Sequence, residues 1–377
     1  MPSAALVGLA NRTTNWFHNE SSFETGKLMS TCCCKTSCCP PKSPYWVLGE
    51  IETPVGPVPK VGTPLTLRDR FGAFRVRLAI GRHAYSIEPG LYAIGNPTPD
   101  SPIFVTANYK LSFDFLRGAL TGIDSWVMVL DTKGINVWCA AGKGTFGTEE
   151  IVNRMQKTQL EQVVSHRKLI LPQLGAPGVS AKEVQKQSGF KVIYGTVRAE
   201  DLPAFVEANF NCTPEMREVK FTLRDRLDVV PVELVIWFKS ALILAAALAL
   251  LTGFTRDGYT LAGAPRVFGL VFAGWLTGGA LVPALLPWLP GRAFSIKGLW
   301  AAIALWAVIN GQAGGTLQER FGWLFLLTAI VSFMALNFTG TSTYTSMSGV
   351  KKEMKIAIPI QLTAAIAGAT AIIIGNF

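Results

Sequence analysis

Residues 126–147 read WVMVLDTKGINVWCAAGKGTFG, and this stretch decides the fold of the first half of the chain. It opens with an apolar run, Trp126 to Asp131, that is typical of a buried strand. A loop of small residues and glycines follows, and Thr148, Glu149 and Glu150 then mark the start of a helix that runs to about Leu160. The order strand, loop, helix indicates an α/β unit.

Further strands and helices alternate on both sides of this stretch. Because parallel strands need helical crossovers, the alternation predicts an α/β domain with a mainly parallel sheet. In such sheets ligands sit beyond the carboxyl ends of the strands, so the loop after Asp131 is the first place to look for a site. The predicted strands are Ile103 to Ala107, Lys168 to Leu171 and Val192 to Tyr194, and the predicted helices are Leu111 to Leu120 and Glu200 to Asn209.

Charge divides the 377 residues into two halves. Charged residues are frequent up to about Asp228, and long apolar runs follow. We therefore predict an N-terminal tail (1–43), a soluble domain (44–228) and a membrane domain (229–377). The net charge of +10 does not indicate nucleic acid, because no basic stripe is interleaved with aromatics. The first residues lack the apolar core of a signal peptide, so we expect the soluble domain in the cytoplasm.

The C-terminal half predicts an all-α membrane domain, since a spanning helix needs about 20 apolar residues. Lys and Arg concentrate before the first apolar run and in two later loops, which places these segments on the cytoplasmic side and the C-terminus outside. The expected location is the cell inner membrane, with several passes. About five spans are predicted: Val232 to Phe254, Val267 to Leu289, Leu299 to Asn310 with some extension, Trp323 to Phe338, and Ile356 to Ile374.

The glycine-rich loop admits three functional interpretations. Gly142, Gly144 and Gly147 match GxGxxG, but no acidic residue stands about 20 positions further on, as a nicotinamide site requires. A phosphate loop lacks its upstream glycine, because Val137 stands there. The third interpretation makes Cys139 a soft metal ligand. If Asn136 caps a short helix, the helix dipole and Lys143 both favour the thiolate. A buried, inert cysteine remains the alternative.

Several stretches carry a family resemblance. Residues from about Tyr85 to Asp201 resemble the corrinoid domain of the large subunit of the corrinoid iron–sulfur protein. The motif of residues 136–143, followed by membrane spans, resembles the mercury-methylating corrinoid proteins. The matching stretches are Pro89-Gly90-Leu91-Tyr92, Val105-Thr106-Ala107-Asn108-Tyr109-Lys110-Leu111-Ser112, Leu130-Asp131-Thr132 and His166-Arg167-Lys168-Leu169-Ile170-Leu171-Pro172-Gln173.

The resemblance implies a Rossmann-like domain that holds a cobalamin-type corrinoid, with Cys139 as the lower axial ligand of cobalt and the catalytic residue. None of the three histidines follows Asp at the spacing Asp-x-His, so a histidine ligand of that motif is absent. A soft thiolate stabilises the oxidised cobalt that remains after methyl transfer to Hg(II). The expected cofactor-binding residues are Thr106, Asn108, Asn136, Val137, Trp138, Ala140, Ala141, Gly142, Lys143 and Gly144.

The role of the other cysteines and the identity of the protein partners are further questions. A ferredoxin-type cysteine run is absent, so the resemblance implies a small ferredoxin-like iron–sulfur protein as electron donor, together with a methyl-tetrahydrofolate-dependent methyl donor. The expected function is corrinoid-dependent methyl transfer to Hg(II). The alternatives are methyl carriage for acetyl-CoA synthesis and a non-catalytic membrane corrinoid-binding protein. A tail cluster could bind mercury, form an iron–sulfur site or be a poorly ordered segment: Cys32, Cys33, Cys34, Cys38 and Cys39.

Overall fold

A computed structural model describes residues 43–310, 316–340 and 347–376. The tail cluster Cys32 to Cys39 and nearly all of the predicted domain 1–43 lie outside the described residues. The described chain divides into two compact units, the first ending at Val219 and the second beginning at Lys220. The short segment Arg77–Ala79 belongs by its contacts to the second unit.

The first unit is built on a seven-stranded sheet. In chain order the strands are β1 (Val47–Thr53), β2 (Gly56–Val61), β3 (Gly90–Ile94), β4 (Ile103–Ala107), β5 (Ser125–Leu130), β6 (Lys168–Leu171) and β7 (Lys191–Tyr194). In space their order is β1-β2-β3-β5-β4-β6-β7. The four strands β5, β4, β6 and β7 are parallel, whereas β3 is antiparallel to β5 and β1 is antiparallel to β2.

Helices cover both faces of this sheet. They are α1 (Leu67–Arg77), α2 (Lys110–Ala119), α3 (Val137–Lys143), α4 (Thr148–Lys157), α5 (Leu160–Val163), α6 (Ala181–Ser188) and α7 (Leu202–Glu207). Apolar residues of α3, α4 and α6 pack in one core, and those of α2 and α7 pack in the other. The architecture is therefore a mixed α/β sheet domain.

The expectation of a mainly parallel sheet holds only for the strands that follow residue 100. The segment that forms β1 and β2 contains Pro54, Pro57 and Pro59, and proline is typical of loops or strand edges, so its pattern did not predict strands. The predicted strands β4 and β6 are confirmed with their bounds. The predicted helix after β4 is also confirmed, beginning at Lys110 and ending at Ala119.

The chain changes direction across the sheet at β4 and β5. After β4 it passes through α2 on one face to reach β5; after β5 it passes through α4 on the other face to reach β6, on the far side of β4. The loops that leave β4 and β5 therefore diverge to opposite faces. Such a switch point opens a crevice at the carboxyl ends of the strands, and ligands of open α/β sheets bind there.

A buried ion network joins α1 to α2. Lys110 Nζ lies 2.8 Å from Asp69 and 2.6 Å from Asp114, and Arg117 pairs with the same two carboxylates at 2.9 and 2.8 Å. All four side chains are at least nine-tenths buried. Burial alone raises the pKa of Asp69, but hydrogen bonds from Lys110, Tyr45 and Thr66 outweigh it and hold this pKa well below its ordinary value. Two cations thus offset two anions inside the domain.

We expect Lys110→Met to destabilise the first unit by about 3–5 kcal/mol, because it removes one of the two cations and leaves one buried negative charge uncompensated. The exposed Lys157→Met serves as the matched control and should change stability by less than about 0.5 kcal/mol. Because the folded pKa of Asp69 is depressed, its stabilisation is present at neutral pH and is lost as the pH falls below about 4. Thermal unfolding from pH 7 to pH 3 measures both effects, and equal behaviour of the two variants would contradict the role of the network.

The second unit is a helical region. Its elements are α8 (Leu223–Leu227), α9 (Val230–Leu251), α10 (Ala264–Leu276), α11 (Val282–Leu285), α12 (Phe294–Asn310), α13 (Leu317–Asn337) and α14 (Met347–Gly375), with a short hairpin of β8 (Phe254–Thr255) and β9 (Gly258–Tyr259). The segment Thr277–Leu281 is a π-helix that joins α10 to α11. Among the described residues, four helical segments are long and apolar enough to cross a membrane: Leu223–Leu251, Ala264–Leu285, Leu317–Asn337 and Gly349–Gly375.

The third predicted span, Leu299 to Asn310, is shorter than the other four. Helix α12 has 17 residues, and at 1.5 Å per residue it measures about 25 Å, less than the ~30 Å of a bilayer core. It nevertheless runs the length of the bundle. Near its start, the Ser295 N–H donates to Glu353 at 2.7 Å, and near its end Trp306 Nε1 donates to the Arg320 carbonyl at 2.8 Å.

Hydrogen bonds show at which end of the helical bundle each connecting segment lies. Arg226 donates to the carbonyls of Pro283 and Ala284, and Lys297 donates to those of Leu286 and Leu289, so these segments share one end. At the other end Arg266 pairs with Glu319 at 2.7 Å. The cations of the first end and its adjoining segments are Lys220, Arg224, Arg226, Arg292, Lys297, Lys351, Lys352 and Lys355.

We expect a reporter fused after Phe377 to be active only on the outer face of the inner membrane. From the bias of Lys and Arg we expect that end of the bundle to lie in the cytoplasm, and five passes would then place the C-terminus outside. A second fusion after Asp257, in the hairpin at the opposite end, should also report outside. Cytoplasmic activity of either fusion would show that the number of passes or the orientation is wrong.

Candidate functional site

The loop after β5 is held by a side chain from the segment that directly follows β4. Asn108 Oδ1 accepts hydrogen bonds from the Thr132 N–H, the Thr132 hydroxyl and the Gly134 N–H at 3.0, 2.9 and 3.0 Å. Asn108 and Thr132 are both buried. The loops that leave two adjacent parallel strands are therefore tied together at the switch point.

Asn136 then starts helix α3. Its side-chain oxygen accepts from the Cys139 N–H at 2.9 Å, so Cys139 lies in the first turn, as the sequence predicts. Ala140 and Ala141 are buried in the core with Val137 packed against it. Cys139, Gly142 and Lys143 are spaced three and four residues apart and so share another face of the helix.

Cys139 is half-buried, while Gly142, Lys143 and Gly144 are exposed. The thiol is thus on the side of α3 that the core does not occupy. Gly144 ends the helix with φ +82°, a left-handed conformation that favours glycine. A short helix with a thiol on its open face therefore stands directly after the carboxyl end of β5.

The segment Gln173–Gly178, which follows β6, packs closely on α3. A side chain at Gly178 would bring its Cβ 2.9 Å from the Ala141 Cα and against the Phe146 carbonyl, so only glycine permits this approach. Ala140, Ala141 and Gly178 are all small, and their size lets the two backbones meet. The position of α3 is consequently fixed from below by the sheet and from one side by this segment.

The predicted binding residues separate into distinct environments. Asn108 and residues 136–144 are brought together at the carboxyl edge. Thr106 is buried in β4 and alternates with the side chains that face α3, so it points to the opposite core, with Phe104. Val137, Ala140 and Ala141 contribute to the core, whereas Trp138 is half-buried. A cofactor role for each of these residues remains a prediction.

Two features of this edge were not predicted as site residues. Gln173 lies just beyond β6, and its side-chain oxygen is buried without a hydrogen-bond partner. Asp131 directly follows β5, and its N–H donates to Glu150, which pairs with Arg154 at 2.6 Å. A hydrogen bond from Lys133 lowers the pKa of Asp131. Gln173 carried a sequence signal, since it closes one of the stretches that show the family resemblance.

The arrangement of the glycines rules against a dinucleotide fingerprint. Such a motif follows a strand directly and opens a helix, so that the helix N-terminus meets the pyrophosphate. Here β5 ends at Leu130, and Gly142 and Gly144 lie at the carboxyl end of α3. The glycines end one helix and precede the next. This position argues against a nicotinamide site.

Cysteine is the one soft donor type at the predicted site. The two cysteines in the described part of the chain, Cys139 and Cys212, are free and half-buried. Within residues 43–310, 316–340 and 347–376, no group of three or more His, Cys, Asp or Glu could hold a metal ion. A metal-binding role for Cys139 remains a prediction.

Comparison with known proteins finds relatives of one region of the chain. Residues 80–206 match the sequence profile of the family described as CO dehydrogenase/acetyl-CoA synthase delta subunit. The acetyl-CoA decarbonylase/synthase complex subunit gamma of Methanopyrus kandleri is 35% identical over 128 residues, and that of Archaeoglobus fulgidus is 33% identical over 131 residues. The corrinoid/iron-sulfur protein large subunit of Moorella thermoacetica is 33% identical over 125 residues.

These similarities concern one domain. They cover 33 to 34% of this chain and 27 to 28% of each relative, so the chain spans about a quarter of the length of the curated relatives it matches. The matched residues include β4 to β7 and helix α3. The resemblance to the corrinoid iron–sulfur protein is confirmed for this region, and the resemblance to mercury-methylating proteins remains a prediction.

We expect Asn108→Ala to destabilise the loop before α3 by about 1–3 kcal/mol, because buried N–H and O–H donors of the loop lose their acceptor. Hydrogen exchange at residues 132–136 should accelerate, and alkylation of Cys139 should become faster. Asn211→Ala is the matched control, since that side chain is exposed and makes one hydrogen bond to a carbonyl. Unchanged exchange in the Asn108 variant would mean that the loop is held by other contacts.

Proposed function

We propose that this protein, anchored in a membrane, transfers a methyl group from a bound corrinoid to Hg(II), and that Cys139 would be a ligand of the corrinoid cobalt. One observation carries the proposal. The Cys139 thiol lies on the open face of a capped helix, immediately after the carboxyl end of β5 at the switch point of the sheet. The names of the relatives support the corrinoid, since one is a corrinoid/iron-sulfur protein.

The residues at this edge fit a corrinoid. Gly142 and Gly144 add no side chains to the exposed end of α3, which lets a broad, flat ring approach the helix. The buried Gln173 side-chain oxygen, which has no hydrogen-bond partner, lines a different cavity with Ile193 and Tyr194. Residues 136–144 and Asn108 would hold the cofactor, whereas the Thr106 side chain points to the opposite core.

The bound corrinoid would supply a methyl group carried on cobalt. Cys139 would place a soft, anionic sulfur against the metal, and soft thiolates bind soft transition metals well. The Asn136 cap fixes the turn that carries this sulfur, and Asn108 fixes the loop before it. Together these contacts would hold the sulfur in one position.

Cys139 also bears on the acceptor. If Cys139 binds the cobalt of a corrinoid, its sulfur would donate electron density to the metal, which would suit an electrophilic methyl acceptor such as Hg(II). A thiol or nickel acceptor would suit a cobalt with a weaker ligand. The thiolate therefore favours mercury on chemical grounds.

A second candidate is supported by the relatives. Their names associate them with acetyl-CoA decarbonylase/synthase complexes and with a corrinoid/iron-sulfur protein, which favours methyl carriage for acetyl-CoA synthesis. The four long apolar helices favour the first candidate, because they suit a membrane-anchored protein. A membrane corrinoid-binding protein without catalysis is the third possibility, and a transfer assay distinguishes it.

Protein partners follow from either candidate. A methyl-tetrahydrofolate-dependent protein would supply the methyl group, and a small ferredoxin-like iron–sulfur protein would supply electrons. Thiols of the cluster Cys32 to Cys39, which lies outside the described residues, would deliver Hg(II).

We expect Cys139→Ala to abolish methylmercury formation while the domain stays folded, because one small side chain replaces another. Cys212→Ala is the matched control: it removes the other described thiol, which lies away from α3 beside the Tyr194 carbonyl, and should retain activity. The visible spectrum of the purified protein should show a corrinoid and should change in the Cys139 variant alone. Full activity of Cys139→Ala would refute the ligand assignment.

Deletion of the protein separates the candidates. It should abolish methylmercury production and leave growth on one-carbon compounds intact. If deletion stops acetyl-CoA synthesis while mercury methylation continues, the second candidate is correct.

A further inference from the structure

Helix α1 presents an unusual outer face. Leu67, Phe71 and Phe74 are spaced four and three residues apart, so they form one stripe along the helix. They are 82%, 62% and 58% exposed. Large apolar side chains grouped in this way on a domain surface indicate a contact with an apolar partner or phase.

The same helix is strongly basic. Arg68, Arg70 and Arg75 are exposed and flank the stripe. Between Glu52 and Glu88 the chain contains a single acidic residue, Asp69. That carboxylate is buried and is engaged by Lys110 and Arg117, so it does not offset the arginines at the surface.

The inner face of α1 anchors it to the domain. Asp69 and Val76 are buried, and a side chain at Gly72 would collide with the Tyr85 hydroxyl. The exposed stripe is therefore not needed for the packing of the helix. At the last position of α1, Arg77 pairs at 3.1 Å with Asp228, which precedes the first long apolar helix by two residues.

We propose that α1 and the turn after it, residues 67–82, bind the interface of an anionic phospholipid bilayer. Leu67, Phe71 and Phe74 would enter the boundary between headgroups and acyl chains, and the arginines would pair with lipid phosphates. Interfacial helices combine these features: a face of Phe and Leu, flanking cations and no exposed carboxylate. This inference goes beyond methyl transfer and does not depend on which acceptor the protein uses.

Charge favours lipid over a protein partner. The cationic face complements an anionic leaflet, which attracts basic segments. The domain would then have a second attachment to the membrane besides its transmembrane helices.

Photo-crosslinking in the full chain tests the proposal. Benzoylphenylalanine replaces Phe71, Phe74 or Phe115, and each protein is reconstituted in nanodiscs that contain phosphatidylglycerol. Phe115 is the matched control, an aromatic residue 49% exposed on α2 of the same unit. We expect phospholipid adducts at positions 71 and 74, identified by mass spectrometry, and few at position 115.

A second comparison isolates the arginines. Combined replacement of Arg68, Arg70 and Arg75 by Gln should lower the adduct yield at position 71 at least about fivefold in anionic nanodiscs, since each cation near such a surface contributes about this factor. Zwitterionic nanodiscs should show little difference between the two proteins. Adducts to a second copy or another protein, or equal lipid yields at positions 71 and 115, would overturn the proposal.

Discussion

The side-chain carbonyl of Asn108 is the contact on which the candidate site depends. It accepts three hydrogen bonds from the loop Thr132–Gly134 and so joins the loops that leave two adjacent parallel strands. Without this acceptor the loop would lose the direction that brings Asn136 to the start of α3. The Asn136 cap then places Cys139 in the first turn, with two buried alanines holding the opposite face of the helix.

A second constraint comes from small residues. The segment after β6 can reach α3 only because Gly178 lacks a side chain, and α3 can reach the sheet only because Ala140 and Ala141 are short. These contacts leave the thiol and the glycines at the end of α3 on the open side. That side of α3 is therefore open to solvent, and a ligand placed there would not disturb the core.

The comparisons and the geometry support different parts of the functional conclusion. The relatives match about a third of the chain, and their names associate those proteins with acetyl-CoA decarbonylase/synthase complexes and with a corrinoid/iron-sulfur protein. The proposal of Hg(II) as the methyl acceptor depends on Cys139 and on the apolar helices of the second unit. The distribution of charge supports the proposed membrane contacts. One end of the helical bundle is rich in Lys and Arg, and the outer face of α1 is rich in Arg.

Local patterns in the sequence alone determined much of this protein. Strand β4, helix α2, the cap at Asn136 and the long apolar helices follow from neighbouring residues, because periodicity and capping act over a few positions. The tertiary structure decided the rest. The pairing of Asn108 with the Thr132 loop, the turn of Thr106 toward the other core, and the burial of Lys110 among carboxylates depend on which strands lie side by side. Strand order arises from contacts between residues far apart in the chain, and short-range patterns do not encode it.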